Sequence, residues 1–254
     1  MDPEKDFGSR RVISVQKCFR TTDIDEVGDE THLTFFEMLG NFSFADYSKE
    51  EAIKWGYQFI TQELGVAEDR IMVTVFEGKN EVPRDKDSYR IWHEVIGLAE
   101  NKIEYALWDN FWGPTGNQGP CGPTTEIYID GVEVWNIVFN EYFCEGSRDD
   151  LLTGKAKLTK LTESGVDTGM GLERLTAVLS GVNNVYETDL FHSIIDVLPQ
   201  ELSEESKRIL ADHGRGIVFL ISDGVTPSNK EAGYILRRLI RRIITKAPEF
   251  DFSQ

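Results

Sequence analysis

An α+β fold, with a mainly antiparallel sheet flanked by helices, is what this sequence predicts. Two β-rich runs, 126–129 and 132–143, are joined by Asp130-Gly131, a strong hairpin signal because both residues tolerate the positive φ of a tight turn. Helical patterns fall between the strand candidates, and antiparallel hairpins with intervening helices favour α+β over a parallel α/β sheet. Beyond Pro199 and the acidic stretch 201–205 only helical periodicity remains.

Along the chain, residues 10–47 read as strand-like and turn-rich, with an acidic turn at Asp23-Ile24-Asp25-Glu26. Ser48-Lys49-Glu50-Glu51 fits a capping box, and Ile53, Tyr57, Ile60 and Leu64 keep helical spacing behind it, so 49–64 is a helix. Ile71, Val73 and Val75 alternate as in a strand. A helix over 87–96 should close at Gly97. Residues 113–123, with four glycines and three prolines, predict a stiff irregular loop. Further helices are expected at 171–179, 189–198, 206–222 and 230–246. In the last of these, Ile235, Leu236, Leu239, Ile240, Ile243 and Ile244 form the apolar face beside Arg237, Arg238, Arg241 and Arg242.

Composition excludes several classes. With 254 residues, 40% of them hydrophobic, the chain can bury one substantial core and a small second unit. No apolar run approaches the roughly 18 residues of a membrane span, and the N-terminus lacks the apolar stretch of a signal peptide. Three scattered cysteines argue against a disulfide framework and for a cytoplasmic setting. Four histidines without an H-E-x-x-H pattern give a zinc site no support. The net charge of −17 opposes broad nucleic-acid binding, but residues 230–247 carry six basic groups against Glu231 alone, a local +5. A basic amphipathic helix there is either a solvated face or an RNA-phosphate contact.

Chemistry concentrates in the run from Val166 to Arg174, Val-Asp-Thr-Gly-Met-Gly-Leu-Glu-Arg, where a strand should turn into a helix. Gly169 and Gly171 let a ligand approach the backbone. The free N–H groups of the following helix favour a phosphate, and Arg174 can meet it as a planar charged fork. Asp167 is left for a cation such as an amine. An anion and an amine bound together suggest an amino acid beside a nucleotide. Four more segments fit one site: 16–20 ending in Arg20, the Phe-rich run 32–44, Asp109-Asn110-Phe111-Trp112, and 133–139 with Trp135 and Asn136. Singly, each also reads as structure: core phenylalanines, packing tryptophans, a satisfied strand asparagine.

Together, FFEMLGNFSFADY, DNFW, GPCGP, VWNIVF, VDTGMGLER, SDGVTPSN and GYILRRLIRR occur in the order in which the chain resembles the catalytic domain of the alanyl-tRNA synthetase family, from about Val12 to Thr245. The resemblance implies a class II synthetase fold, with an aminoacylation domain over 1–199 and the start of a helical tRNA-recognition region over 200–254. It implies that Arg20 grips the α-phosphate of ATP and Arg174 the far phosphates and the adenine. Trp112, Val134, Trp135, Asn136, Gly169 and Gly171 fall on ATP-contacting positions, and Asn136, Asp167 and Trp135 on alanine-binding ones. Arg237, Arg238, Arg241 and Arg242 become candidates for tRNA(Ala), and Mg²⁺ accompanies ATP, with Glu126 and Glu133 as candidate ligands.

The pattern departs from the family in three places. The family's first class II motif precedes the matched stretch, and only a link into the second motif is expected from Met1 to Gly8. The loop after Arg20 is short, 21–26, where many relatives carry a longer one with a lysine, and Leu33 stands where many have a histidine. The matched stretch ends just inside the helical region, before any editing domain or C-terminal domain. An alternative to a self-contained alanine–tRNA ligase core is therefore a split module that needs a second polypeptide. A degenerate paralogue that binds without turnover is less consistent with intact Arg20, Trp112, Asn136, Asp167 and Arg174.

Overall fold

The computed structural model describes residues 3–79 and 82–247; Met1, Asp2, and residues 248–254 of the expected tRNA-recognition stretch lie outside the described residues. Packing divides the chain into two compact units: one of residues up to Val15 together with Leu39–Gly171, the other of Gln16–Met38 together with the chain from Leu172 on. Packing thus cuts the chain at Gly171 rather than near 199. The reason is a shared core in the second unit, where Leu33, Ala177, Val185, Tyr186, Phe191 and Ala211 are buried together, from segments on both sides of residue 199.

The strands are β1 (Arg11–Phe19), β2 (Phe35–Ser43), β3 (Ile71–Phe76), β4 (Ile103–Ala106), β5 (Phe111–Trp112), β6 (Gly119–Ile129), β7 (Val132–Glu145) and β8 (Lys157–Gly171). They form one sheet in the order β1-β2-β8-β7-β6-β3-β4, with β5 paired to β6. The pairs β3/β6, β5/β6, β6/β7 and β7/β8 are antiparallel, and β3/β4 is parallel. The hairpin turn sits at Asp130 (φ 51°) and Gly131 (φ 82°), as the sequence predicts.

Strand alternation gives the central sheet two unlike faces. One face is apolar and covered by helices. The helix α2 (Lys49–Gln58), after α1 (Pro3–Phe7), runs on through a wider turn over Phe59–Glu63, so the expected helical stretch is helical throughout. Gly56 lets α2 lie close on the sheet: an added Cβ would stand 3.2 Å from Ile137. Phe59 meets the Trp135 ring edge-on at 5.8 Å, and Trp92 donates to Thr125 at 2.8 Å. Trp92 follows α3 (Lys86–Arg90), whose wider-turn continuation Ile91–Ile96 closes at Gly97 (φ 90°), again as expected. The opposite face is polar and carries the candidate site.

The stretch 113–123 is a correction. It is irregular only to residue 118, and β6 begins at Gly119. Proline withholds a donor but its fixed φ suits an extended chain, and a register shift between Cys121 and Thr124 absorbs Gly122 and Pro123. Beyond it, α4 (Arg148–Leu152) precedes β8, whose polar first half, Lys157–Gly165, carries no strand signal in the sequence. The second unit adds α5 (Leu172–Ser180), α6 (Asp189–Ile195), α7 (Glu204–Ser222) and α8 (Glu231–Lys246). On α8, Leu236 and Leu239 are fully buried while Ile244 is 52% exposed, so the buried stripe is narrower than the apolar face read from the sequence.

Candidate active site

The strand register assembles the first part of the site. Thr74, Glu126, Asn136 and Gly169 stand in one row across β3, β6, β7 and β8. Asp167 pairs with Val138 two residues along β7, so it shares a face with Asn136 as a diagonal neighbour, within about 8 Å by sheet geometry. Asn136 reaches Glu126 because the hairpin carries a one-residue bulge at Val134. Tyr128 pairs with Glu133, but Ile127 pairs with Trp135.

Glu126 is the hub of the row. Its carboxylate accepts from Tyr128 Oη at 2.7 Å, Thr74 Oγ1 at 3.2 Å and Asn136 Nδ2 at 3.2 Å. Burial pushes its pKa up to about 7; Glu133 and Asp109 add to the rise, and the Tyr128 and Thr74 hydrogen bonds oppose it. Asn136 Oδ1 is buried with no hydrogen-bond partner. Burial raises the pKa of Asp167 as well, against one hydrogen bond from the Thr168 N–H. The face therefore presents a desolvated carboxylate and an orphaned carbonyl side by side. Asn136 Oδ1 has no donor and the Asp167 carboxylate only the Thr168 N–H, and an ammonium group supplies several.

Not every residue expected here shares that face. Trp135 points the other way, 8% exposed and packed on Phe59 beneath α2, so its side chain is not a platform for ATP or alanine. The cause is strand period: a neighbour of Asn136 must face oppositely. Val134 is buried at the bulge. Trp112 ends β5, paired with Gly122, and is 39% exposed. At Gly171 an added Cβ would meet nothing within 4 Å and φ is not positive, so neither packing nor backbone demands glycine there.

The second unit holds both candidate phosphate arginines. Arg20 follows β1 directly; its N–H donates to the Thr34 carbonyl at 2.8 Å. Its guanidinium lies 5.1 Å from the centre of the Phe36 ring and 3.8 Å from Asp23, in the short loop. Arg174 is the third residue of α5, in the first turn, whose N–H groups have no intrahelical acceptors. Beside it Glu173, 1% exposed, accepts the Glu37 N–H at 3.1 Å and pairs with Arg215 at 2.6 Å. Burial raises the Glu173 pKa, and Arg215 opposes the rise. Leu33 is 6% exposed, in the core of this unit. Of the tRNA candidates, Arg238 and Arg242 pair with Asp25 at 2.6 and 3.2 Å, and Arg237 donates to Asn229.

No group of three or more His, Cys, Asp or Glu residues is placed to hold a metal among the described residues. No described helix is long and apolar enough to cross a membrane.

A family model described as tRNA synthetases class II (A) matches residues 3–254. The chain belongs to this class II synthetase family. It is 46% identical over 93% of its length to the alanine–tRNA ligase of Rubrobacter xylanophilus, covering 30% of that protein. It is 46% identical over 91% of its length to the alanine–tRNA ligase of Thermotoga petrophila, covering 29% of it. With the alanine–tRNA ligase of Borreliella afzelii it shares 42% over 93% of the chain and 44% of the relative. The chain thus spans less than half of each of these relatives.

The roles of Glu173 and its partner Arg215 in this class II synthetase chain were not legible in the sequence. Only the buried pair reveals that the glutamate before Arg174 anchors its helix. Glu126 stood out only as a candidate Mg²⁺ ligand, not as a partner of Asn136; counting outward from the hairpin turn, with one residue allowed for a bulge, would have paired the two.

Proposed function

We propose that this chain is the adenylation core of an alanine–tRNA ligase, which activates L-alanine with ATP and serves tRNA(Ala) in the cytoplasm. The observation that carries this is the donor-poor corner of Asp167 and Asn136. An α-ammonium would satisfy the Asp167 carboxylate and the orphaned Asn136 Oδ1 together. A small amino acid held there keeps its own carboxylate free.

That carboxylate attacks the α-phosphate of ATP. The bond to the β-phosphate bridging oxygen breaks, pyrophosphate leaves, and alanyl-adenylate remains. The nucleophile is already ionised, so no protein base is required. The demand is alignment and compensation of charge on a pentacoordinate phosphorus. Arg20 and Arg174 supply fixed positive charge, Trp112 and the open side of Gly171 adjoin the nucleotide, and Gly169 permits close backbone approach. Mg²⁺ is held in such sites by one or two carboxylates and the phosphates; Glu126, whose ionisation the nearby Glu133 makes costlier, and Glu133 itself would be the carboxylates to hold it and would let the metal neutralise phosphate charge. The alanyl group then passes to the terminal adenosine of tRNA, with the exposed arginines of α8 as phosphate contacts.

The test is alanine-dependent ATP–pyrophosphate exchange on the purified chain, with serine and glycine as controls. Exchange with alanine alone establishes the activity. Absence of exchange from a folded sample defeats a self-contained core. A second reading, a module completed by another polypeptide, draws on β1. It is the outer strand of the sheet, and Ile13 and Val15, 84% and 66% exposed, leave apolar side chains on one of its faces that a partner could cover. Under it, exchange appears only on mixing.

A further inference from the structure

We propose that α7 is the positioning helix for both phosphate arginines, acting through Asp212 and Arg215, one turn apart on one face. The inference rests on the ATP reading above and assigns work to residues outside the ligand-contacting set. Arg215 Nη1 holds the buried Glu173 carboxylate at 2.6 Å. Glu173 in turn accepts the Glu37 N–H through both oxygens, at 3.1 and 3.2 Å. This ties the first turn of α5, and with it the backbone of Arg174, to β2.

The second grip runs to Arg20. Asp212, 1% exposed, accepts the Thr34 N–H at 2.9 Å and its hydroxyl at 2.5 Å. The carbonyl of the same Thr34 accepts the Arg20 N–H at 2.8 Å. The next residue, Phe35, packs against two side chains of α7, the Phe219 ring with centres 4.1 Å apart and the Arg215 guanidinium at 4.8 Å, and these two also touch each other at 5.8 Å. Strand alternation then aims Phe36 the other way, where its ring carries the Arg20 guanidinium. A charge network this buried is a costly way to gain stability alone. It is an effective way to fix two arginines against the same triphosphate.

The test measures exchange kinetics and ATP binding by calorimetry for Glu173→Gln, Arg215→Lys and Asp212→Asn, with Ile221→Ala, 55% exposed on the same helix, as control. Glu173→Gln and Asp212→Asn are isosteric and Arg215→Lys keeps the cation without the planar fork; thermal melting establishes that each variant is folded before its kinetics are read. The ATP KM and Kd are expected to rise at least fivefold while the alanine KM stays within twofold, and the control to match wild type. Variants that melt earlier but keep the wild-type ATP KM and Kd overturn the positioning role while leaving the functional reading intact. If wild type gives no exchange, the functional reading fails for this chain. The ATP Kd series then decides positioning alone: a fivefold weakening supports it, and wild-type values overturn it.

Discussion

Asp167 and Glu126 are both carboxylates held away from water, yet they predict different behaviour. Asp167 has one backbone donor and an orphaned acceptor beside it, so its charge is of use only to a cation. Asp167→Asn should raise the alanine KM by about ten- to a hundredfold, the scale of one lost charge-assisted hydrogen bond, with the ATP KM nearly unchanged. Parallel loss of both affinities would remove Asp167 from the ammonium site. Glu126 instead has its hydrogen bonds satisfied and pays in solvation. Its folded pKa of about 7 stands above the ordinary 4.5, so the folded chain binds that proton more tightly than the unfolded one. Stability from this group is complete below pH 4.5 and is lost as pH rises through about 7, by at most roughly 3 kcal/mol. Glu126→Gln should match wild type at pH 4.5 and exceed it at pH 8 in urea unfolding. A pH-independent difference would show that Glu126 is not desolvated as described.

Two glycines, in the strands on either side of β7, make the same contrast at the level of the element. Gly122 of β6 lies over β7, where an added Cβ would fall 1.8 Å from the Phe139 carbonyl oxygen. Gly171 ends β8 with open space around it. Gly122→Ala must therefore separate two strands, and a loss of about 1–3 kcal/mol, or several degrees in Tm, is expected. Gly171→Ala should leave Tm unchanged and, if the proposed nucleotide uses that open space, raise the ATP KM. Equal melting effects from the two changes would show that both glycines serve packing. These elements also mark how far the sequence could be read. The hairpin, β3, α2 and the α7–α8 region follow from local signals: a two-residue turn, period-2 alternation and 3.6-residue spacing. The first half of β8 did not, because its residues are polar and its pairing is supplied by β7. The strand within the Gly/Pro segment did not either, because composition reports the missing donors but not the partner that tolerates them. The sequence pointed to Asp167 and Asn136, and the strand register does bring these two onto one face. The orientation of Trp135 was not, although strand period alone would have separated it from Asn136.

Charge sets the problem for the molecule as a whole. A net −17 repels RNA, and the +5 of residues 230–247 is the principal counterweight. Intramolecular pairing reduces that counterweight further. Asp25 engages both Arg238 and Arg242, leaving Arg237 and Arg241 as the exposed cations of α8. Asp25 is itself 68% exposed at its side chain, so these pairs contribute little to stability and compete directly with phosphate. Asp25→Asn should leave Tm nearly unchanged, tighten tRNA binding, and steepen the salt dependence of the binding constant. Each further phosphate that an arginine neutralises adds roughly 0.7–0.9 to the slope of log K against log salt, so two released arginines predict a change between one and two. Arg237→Ala combined with Arg241→Ala should shift the slope the other way by a similar amount. Fluorescence anisotropy with tRNA across roughly 50 to 300 mM salt, where such phosphate interactions dominate, measures both. Identical slopes for the three proteins would mean that α8 makes no phosphate contact with the RNA.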